Sequence, residues 1–264
     1  SHDEALFEYY TTAQLAWVDA DSLAIEPIAK PAIYSNVSAS PNGRLLLVER
    51  LRGPWSHRHS WWRFASTVEV WRTDGTLVHT VVDLPLHDSV PIHGVHEGPR
   101  NIRWRQNAAA TLIWIEALDG GDWSQEVPHR DRLMLTAHPF HKPPTVVFEA
   151  EHRVQHWWWP ETGGSLVVEQ HERARRWRHV WEVNVDRRTS QPWFDLSEND
   201  RYNDPGRPVL HQLPNGSQTL MQDGDDLLFV GSGSSKDGDR AFVDRRRLGG
   251  PTTERIFRSD PDRY

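Results

Sequence analysis

The chain has 264 residues, a formal net charge of −7, a mean hydropathy of −0.68, no cysteine and 14 tryptophans. Its apolar runs fall well short of the roughly 20 residues of a membrane span, and without cysteine it has no disulfide, thiolate metal site or cysteine nucleophile. The net negative charge argues against a general nucleic-acid binder, which needs a basic surface.

The first four residues, Ser-His-Asp-Glu, include no initiator methionine. They are followed by neither the basic nor the apolar region of a signal peptide. We therefore expect either a processed chain or a piece excised from a longer protein.

Along the chain the dominant hydrophobic period is two, which is typical of β-strands. Turn signals such as Pro41-Asn42-Gly43 and Asp119-Gly120-Gly121 separate the runs. No stretch predicts an amphipathic helix of about ten residues or more. The strand-like runs span residues 14–19, 24–28, 44–50, 67–72, 77–82, 111–117, 132–137, 145–149, 165–169, 179–185 and 226–230.

The runs recur in units that share one plan: a strand, a turn, a strongly apolar strand, a long polar loop and two further strands. We assign the units to residues 31–96, 97–150, 151–205 and 206–264, and residues 1–30 to the last strands of a preceding unit. Four-stranded units of this length are typical of β-propeller blades. The sequence therefore predicts an all-β fold, a propeller fragment of about four blades plus half a blade.

The tryptophans fall into two sets. Those on predicted strands are Trp71, Trp104, Trp114 and Trp181. We expect these rings to pack between neighbouring blades. Those in or beside loops are Trp61, Trp62, Trp123, Trp157, Trp158 and Trp159. Since consecutive strand residues face opposite sides, some of the second set should line a cavity, a subunit contact or a blade edge.

A search for catalytic motifs is negative. The sequence has no Gly-x-Ser-x-Gly elbow, Walker loop or dinucleotide fingerprint. The closely spaced histidines, such as His57 with His59 and His152 with His156, lack a carboxylate at a spacing typical of zinc enzymes. We therefore predict no catalytic residue, no cofactor and no metal site in this chain.

Charged residues are unevenly distributed. Arginines cluster between residues 173 and 188, and aspartates between residues 223 and 239. Such runs usually form a solvated face. The alternative is an arginine lining that attracts an acidic peptide or docks a partner domain through paired carboxylates.

Several strings, in order along the whole chain, resemble the propeller of the prolyl oligopeptidase family, and most of all its glutamyl-endopeptidase-like branch. Glu-Ala-Leu-Asp-Gly-Gly-Asp (residues 116–122) and Arg-Tyr-Asn-Asp-Pro-Gly (residues 201–206) are the most specific. The remaining strings span residues 2–10, 37–44, 48–50, 68–71, 98–100, 129–131, 197–208 and 238–244. The Trp-, His- and Arg-rich segments 54–65 and 156–179 depart from the family.

The resemblance implies that the chain belongs to a propeller that covers a C-terminal α/β-hydrolase domain with a Ser-Asp-His triad. In that family the propeller restricts entry to short or unfolded peptides. The implied partners are therefore the hydrolase domain, the remaining blades and a peptide substrate. The resemblance also slightly favours a periplasmic or secreted location over a cytoplasmic one.

Two groups of residues are candidates for a site. Glu116, Asp119, Gly120, Gly121 and Asp122 follow an apolar strand in the most specific string, and we expect them either to face the hydrolase domain or to cap backbone N–H groups in a turn. Selection of acidic substrates would need a partly buried cation, for which the candidates are Arg63, Arg130 and Arg176.

The sequence thus predicts a substrate-gating propeller part of a serine peptidase that is not catalytic by itself. The alternative is a free-standing propeller that binds a protein or a carbohydrate. A propeller fragment leaves open sheet edges, which invite pairing with another chain. We therefore also expect either the missing blades or a homo-oligomer to cover these edges.

Overall fold

The computed structural model describes residues 1–260 as one helix, one short 3-10 helix and twenty strands. The helices are α1 (His2–Thr11) and η1 (Trp61–Arg63). The first ten strands are β1 (Ala13–Val18), β2 (Ile25–Ala39), β3 (Leu45–Arg52), β4 (Ala65–Arg72), β5 (Leu77–Leu84), β6 (Arg100–Trp104), β7 (Thr111–Ala117), β8 (Asp131–Ala137), β9 (Thr145–Ala150) and β10 (Arg153–Trp158). The other ten are β11 (Ser165–Glu172), β12 (Trp177–Asn184), β13 (Thr189–Ser197), β14 (Arg207–Pro208), β15 (Leu210–Gln212), β16 (Gln218–Leu220), β17 (Gln222–Asp223), β18 (Asp226–Gly231), β19 (Phe242–Arg247) and β20 (Thr253–Arg258).

The strands form antiparallel sheets in sequential order, which confirms the predicted all-β fold. Sheet 1 has the order β1-β2-β3-β4-β5, sheet 2 is β6-β7-β8-β9, and sheet 3 is β10-β11-β12-β13. In sheet 1 the first half of β2 pairs with β1 and the second half pairs with β3. Ala29, with a φ of 59°, lies in the first half of β2, shortly before the change of partner.

Sheet 4 is less regular than the others. Its order is β14-β18-β19-β20, with β17 also paired to β18 and a separate β15-β16 hairpin. The first strand of this sheet is short because Pro208 has no N–H to donate to a ladder. The β15-β16 hairpin is joined to the edge of sheet 3, because the N–H of the fully buried Leu220 in β16 donates to the Trp159 carbonyl.

The core lies between neighbouring sheets. Leu112 and Trp114 of β7 pack against Leu47 and Val70 of sheet 1. The alternate residues of the same strand, such as Ile113, belong to the cluster shared with sheet 3. Because successive strand side chains point to opposite faces, a strand covered on both faces needs apolar residues at successive positions, and β7 has them from Leu112 to Ile115.

The tryptophan predictions are largely confirmed. Trp104 and Trp114 are buried between sheets 1 and 2, and Trp181 packs at the contact of sheets 2 and 3. Trp71 is buried as well, but its cluster is formed by residues of sheet 1 alone and not by residues of two neighbouring sheets.

The Trp-rich segment 156–179 contributes two tryptophan rings to the core. Trp157 and Trp159 are 3% and 0% exposed, and each lies under a guanidinium from sheet 2 or its adjoining turn. Arg103 lies 3.7 Å from the Trp157 ring centroid, and Arg105 lies 4.1 Å from that of Trp159. Burial lowers the pKa of Arg103 to about 10. These cation–π stacks join the segment to sheet 2.

We expected no amphipathic helix of about ten residues or more; the structure has one helix of ten residues, α1, and this helix lacks a buried apolar face. Ser1 accepts a hydrogen bond from the Glu4 N–H at 3.2 Å, and acidic residues occupy the first turn, where they complement the helix dipole. The hydrophobic period of the helix is weak, and none of its residues is fully buried. Among residues 1–260, no helix is long and apolar enough to cross a membrane.

Candidate functional site

Alternate connections of an antiparallel sheet lie at the same end of the sheet. One end therefore carries residues 53–64, 85–99, 118–130, 151–152 and 173–176, which we call the loop face. Hydrogen bonds join these connections: the His87 N–H donates to the Arg63 carbonyl at 2.9 Å, and the Val95 N–H donates to the Gly121 carbonyl at 2.9 Å. The predicted site residues lie in segments 53–64, 118–130 and 173–176 or, for Glu116, at the end of β7 beside segment 118–130. All of them are therefore on or beside the loop face.

Two buried carboxylates lie at the centre of the loop face. The Asp119 side chain is fully buried and accepts hydrogen bonds from Arg130 Nη1 at 2.9 Å and from Arg153 Nη2 at 2.6 Å. The Gly121 N–H donates to the same carboxylate at 3.0 Å. Asp119 therefore holds the turn that follows it and ties it to the start of sheet 3.

The second carboxylate, Asp131, is also fully buried. It accepts from Arg100 Nη2 at 2.8 Å, from Arg153 Nη1 at 2.7 Å and from the Val154 N–H at 2.9 Å. Arg153 thus bridges both aspartates with its two terminal nitrogens. Such paired, hydrogen-bonded charges are the form in which ionised groups tolerate burial.

The two glycines of the turn have left-handed backbone conformations, with φ of 64° at Gly120 and 77° at Gly121. A Cβ at Gly121 would lie 1.9 Å from the Val95 carbonyl oxygen. Only glycine lets segment 85–99 approach this turn so closely.

The carboxylates at either end of the string have local partners. Glu116 accepts from Arg132 on the neighbouring strand at 2.7 Å and from the Trp114 indole at 2.8 Å. Asp122 accepts from the N–H and hydroxyl of Ser124, and these hydrogen bonds lower the pKa of Asp122. In these contacts both residues stabilise the loop and its strand.

The three candidate arginines are in different surroundings. Arg130 is one-quarter exposed and paired with Asp119, whereas Arg176 is 66% exposed and lies 3.5 Å from Glu198. Arg63 lies in η1. Within residues 1–260, neither Arg63 nor Arg176 has a hydrogen bond or ion pair to Asp119 or Asp131.

A cavity of about 670 Å³ opens beside this network. Its lining includes Arg130, Arg153 and Arg173 together with the exposed Trp123. Arg173 also lies 3.1 Å from His93 Nε2, which connects segments 85–99 and 173–176 across the cavity. The cavity therefore combines three arginines, three glutamates (Glu126, Glu151 and Glu172) and an apolar ring.

Sequence reasoning missed Arg100, Asp131 and Arg153 as members of the network. Arg100 and Asp131 lie within strings that carry the family resemblance, so the resemblance could have indicated these two residues. Arg153 lies outside every such string, and only its position at the start of β10 brings it to both aspartates.

Histidines form two close pairs on the loop face. His87 and His96 stack with ring centroids 4.0 Å apart, and burial of His87, with smaller contributions from His96 and Arg63, lowers its pKa to about 4. His152 and His179 stack at 4.8 Å beside Glu172. The second group is the one set of side chains among residues 1–260 that could hold a metal ion, which the sequence did not predict.

The antiparallel four-stranded sheets packed face to face define a segment of a β-propeller. Among solved structures, the chain is similar to oligogalacturonate lyase in complex with manganese, with a TM-score of 0.52 and 15% identity over 94% of this chain and 60% of that one. It is also similar to the β-propeller domain of the Trilobed protease from Pyrococcus furiosus, with a TM-score of 0.50 and 7% identity over 86% of this chain and 58% of that one. At such low identity these similarities establish the fold alone.

The sequence relatives are more specific. The chain is 32% identical over its full length to the probable chloroplastic glutamyl endopeptidase of Oryza sativa subsp. japonica, covering 29% of that protein. It is 33% identical to the protein of the same name in Arabidopsis thaliana, covering 28% of it. No protein-family profile matches the chain. The predicted resemblance is thus confirmed: over its full length the chain is similar to part of two proteins named glutamyl endopeptidase, and it has the fold of a β-propeller segment. The chain spans less than a third of the length of these relatives.

Proposed function

We propose that this chain is part of a substrate-gating propeller in a glutamyl-endopeptidase-like serine peptidase, and that it covers an α/β-hydrolase domain of the same protein. The observation that carries the proposal is the full-length identity of 32–33% to proteins named glutamyl endopeptidase. In this proposal the chain supplies no catalytic residue and acts by limiting which peptides reach the active site.

Exposed apolar side chains support docking of another domain on the loop face. Trp61, Trp62, Trp123 and Ile92 are all more than half exposed, and all belong to loop-face segments. Large exposed apolar groups gathered on one face are typical of protein interfaces. The buried ion pairs around Asp119 and Asp131 would keep this face rigid while it contacts the hydrolase domain.

The cavity beside the network supports selection of acidic substrates. Of the three arginines predicted for this role, Arg130 is the one that lines the cavity. Its partner Asp119 holds the guanidinium at the wall, and Arg173 adds a second cation. A Glu side chain of a peptide would gain charge-assisted hydrogen bonds here that Gln would not.

The test begins with the coding sequence beyond Tyr264, where we expect Gly-x-Ser-x-Gly followed by the Asp and His of a triad. The encoded protein is then assayed with a short peptide, an unfolded protein and a folded protein that each contain Glu sites. We expect cleavage of the first two substrates and not of the third. A stop codon shortly after Tyr264 would instead favour the free-standing binding module.

Variants of that protein test the docking face and the cavity separately. Trp62→Ser should change peptidase activity toward short peptides, whereas Leu77→Ser, at an exposed position on the opposite end of sheet 1, should not. Arg130→Gln should reduce the preference for Glu over Gln at the cleavage site. If Trp62→Ser behaves as Leu77→Ser does, the loop face is not the docking surface.

A further inference from the structure

A group of two histidines and one glutamate lies at the edge of the loop face. His152 Nε2 is 3.9 Å and His179 Nε2 is 3.3 Å from the same oxygen, Glu172 Oε2. The three side chains are each less than one-fifth exposed, and their donor atoms all lie within 4.8 Å of one another. We propose that His152, Glu172 and His179 form a zinc-binding site.

The ligands come from three different segments. His152 lies in the connection between sheets 2 and 3, Glu172 ends β11, and His179 is on the neighbouring strand β12. The β11–β12 pairing places Gln170 opposite His179, so Glu172 lies two residues further along the same face of the sheet. His152 is held in place by its N–H, which donates to the Gln170 side chain at 2.9 Å.

A second carboxylate orients His179. Asp195 Oδ1 lies 3.2 Å from His179 Nδ1, on the side of the ring away from Glu172. If Nδ1–H donates to Asp195, the Nε2 lone pair faces the Glu172 carboxylate, and two acceptors oppose each other unless a cation lies between them. A carboxylate behind a histidine ligand is the usual outer partner of protein zinc sites.

The donor set favours zinc over harder cations. Imidazole nitrogens suit zinc, whereas calcium and magnesium take oxygen ligands. Around a tetrahedral zinc with bonds of about 2.0 Å, ligand atoms lie roughly 3.3 Å apart, so the donor atoms, which lie within 4.8 Å of one another, need to close by up to about 1.5 Å. Glu151, whose carboxylate is 3.9 Å from His152 Nε2, or a water would occupy the fourth position.

One cation competes for the site. Arg175 Nη1 lies 3.1 Å from Glu172 Oε2, but its side chain is 59% exposed. It can therefore turn into solvent when a metal replaces it. This arrangement predicts that removing the Arg175 charge strengthens zinc binding.

A zinc ion here would cross-link the connection between sheets 2 and 3 to β11 and β12. His152 and Glu172 also line the cavity that contains Arg130. The metal would thus fix one wall of that cavity, whether or not the chain serves a peptidase.

The experiment is calorimetric titration of the chelator-treated chain with zinc chloride at neutral pH. We expect one zinc per chain, with at least a tenfold loss of affinity in His152→Gln and His179→Gln. The matched control is His211→Gln, because His211 pairs with Glu161 but, among residues 1–260, belongs to no group of three ligands. This control should bind as the unchanged chain does.

Two further variants change residues that contact the proposed ligands and leave the ligands themselves in place, so a change in zinc binding can be separated from a loss of folding. Asp195→Asn should weaken zinc binding by about tenfold or more, in keeping with other outer-shell partners, and Arg175→Gln should strengthen it; circular dichroism verifies the fold of each variant. Absence of saturable binding to the unchanged chain overturns the proposal. Equal losses in His152→Gln and His211→Gln also overturn it, since the zinc then binds elsewhere. Neither result bears on the proposed peptidase role.

Discussion

The buried aspartate that joins two sheets offers the sharpest test of how this fold is held together. Asp131 accepts hydrogen bonds from two guanidinium groups and one backbone N–H, all within 2.9 Å. Asp131→Asn keeps the volume of the side chain but removes its charge and turns one acceptor into a donor. Arg100 and Arg153 then lose a buried counter-ion, while Arg153 retains Asp119.

The expected loss of stability follows from the burial. Breaking a buried ion pair by neutralising one partner costs about 3–5 kcal/mol, because the other charge stays desolvated. For a domain of this size, each 1 kcal/mol lowers the melting temperature by roughly 2–4 °C. Asp131→Asn should therefore melt about 6–20 °C below the unchanged chain.

Tryptophan fluorescence during heating measures the melting temperature, and the same signal during urea unfolding measures the free energy of unfolding. The control is Asp83→Asn, since Asp83 pairs with Arg52 but is 62% exposed; exposed pairs contribute about 1 kcal/mol or less. If Asp131→Asn loses no more stability than Asp83→Asn, the buried network does not join these sheets as described.

Three further predictions concern single residues. Gly121→Ala should lower the free energy of unfolding more than Gly43→Ala does. Both positions have positive φ, but only at Gly121 would the new Cβ clash with backbone, 1.9 Å from the Val95 carbonyl oxygen. Equal losses would show that the backbone at Val95 can move to make room. The folded-state pKa of His87, about 4, lies below its unfolded value of about 6.5, so the stability held by the neutral ring is present above pH 6.5 and is lost as the pH falls toward 4. His87→Gln should reduce the destabilisation between pH 7 and pH 5, and an unchanged pH profile of the unfolding free energy would contradict this. Trp159→Ala should cost about 3–5 kcal/mol because the ring is fully buried, and a urea-unfolding loss below about 1 kcal/mol would refute its place in the core.

Much of the fold could be predicted because the strands and turns depend on local sequence. The run Thr111–Ala117 is apolar at successive positions, and the structure buries one set of its side chains against sheet 1 and the other against sheet 3. Strand period and turn residues depend only on neighbours in the chain. The helix α1 was missed because its stability comes from its cap and first turn rather than from an apolar face.

The candidate site was predictable only in part. The sequence drew attention to the string around Asp119, but the partners of that string are Arg153, 34 residues away, and the backbone of Val95. Sequence spacing cannot indicate which of many arginines meets a given aspartate. That depends on strand register and on how one sheet packs against the next.

The sequence by itself determined the strand period, the four-sheet plan, the absence of thiol chemistry and the resemblance to the glutamyl-endopeptidase-like branch, because each depends on residue type and local order. Only the tertiary structure brought Asp119 and Asp131 to Arg153, and His152 to Glu172 and His179. The physical reason is that ion pairs and ligand sets act over a few ångströms in space, whereas their members lie on separate strands and loops of the chain.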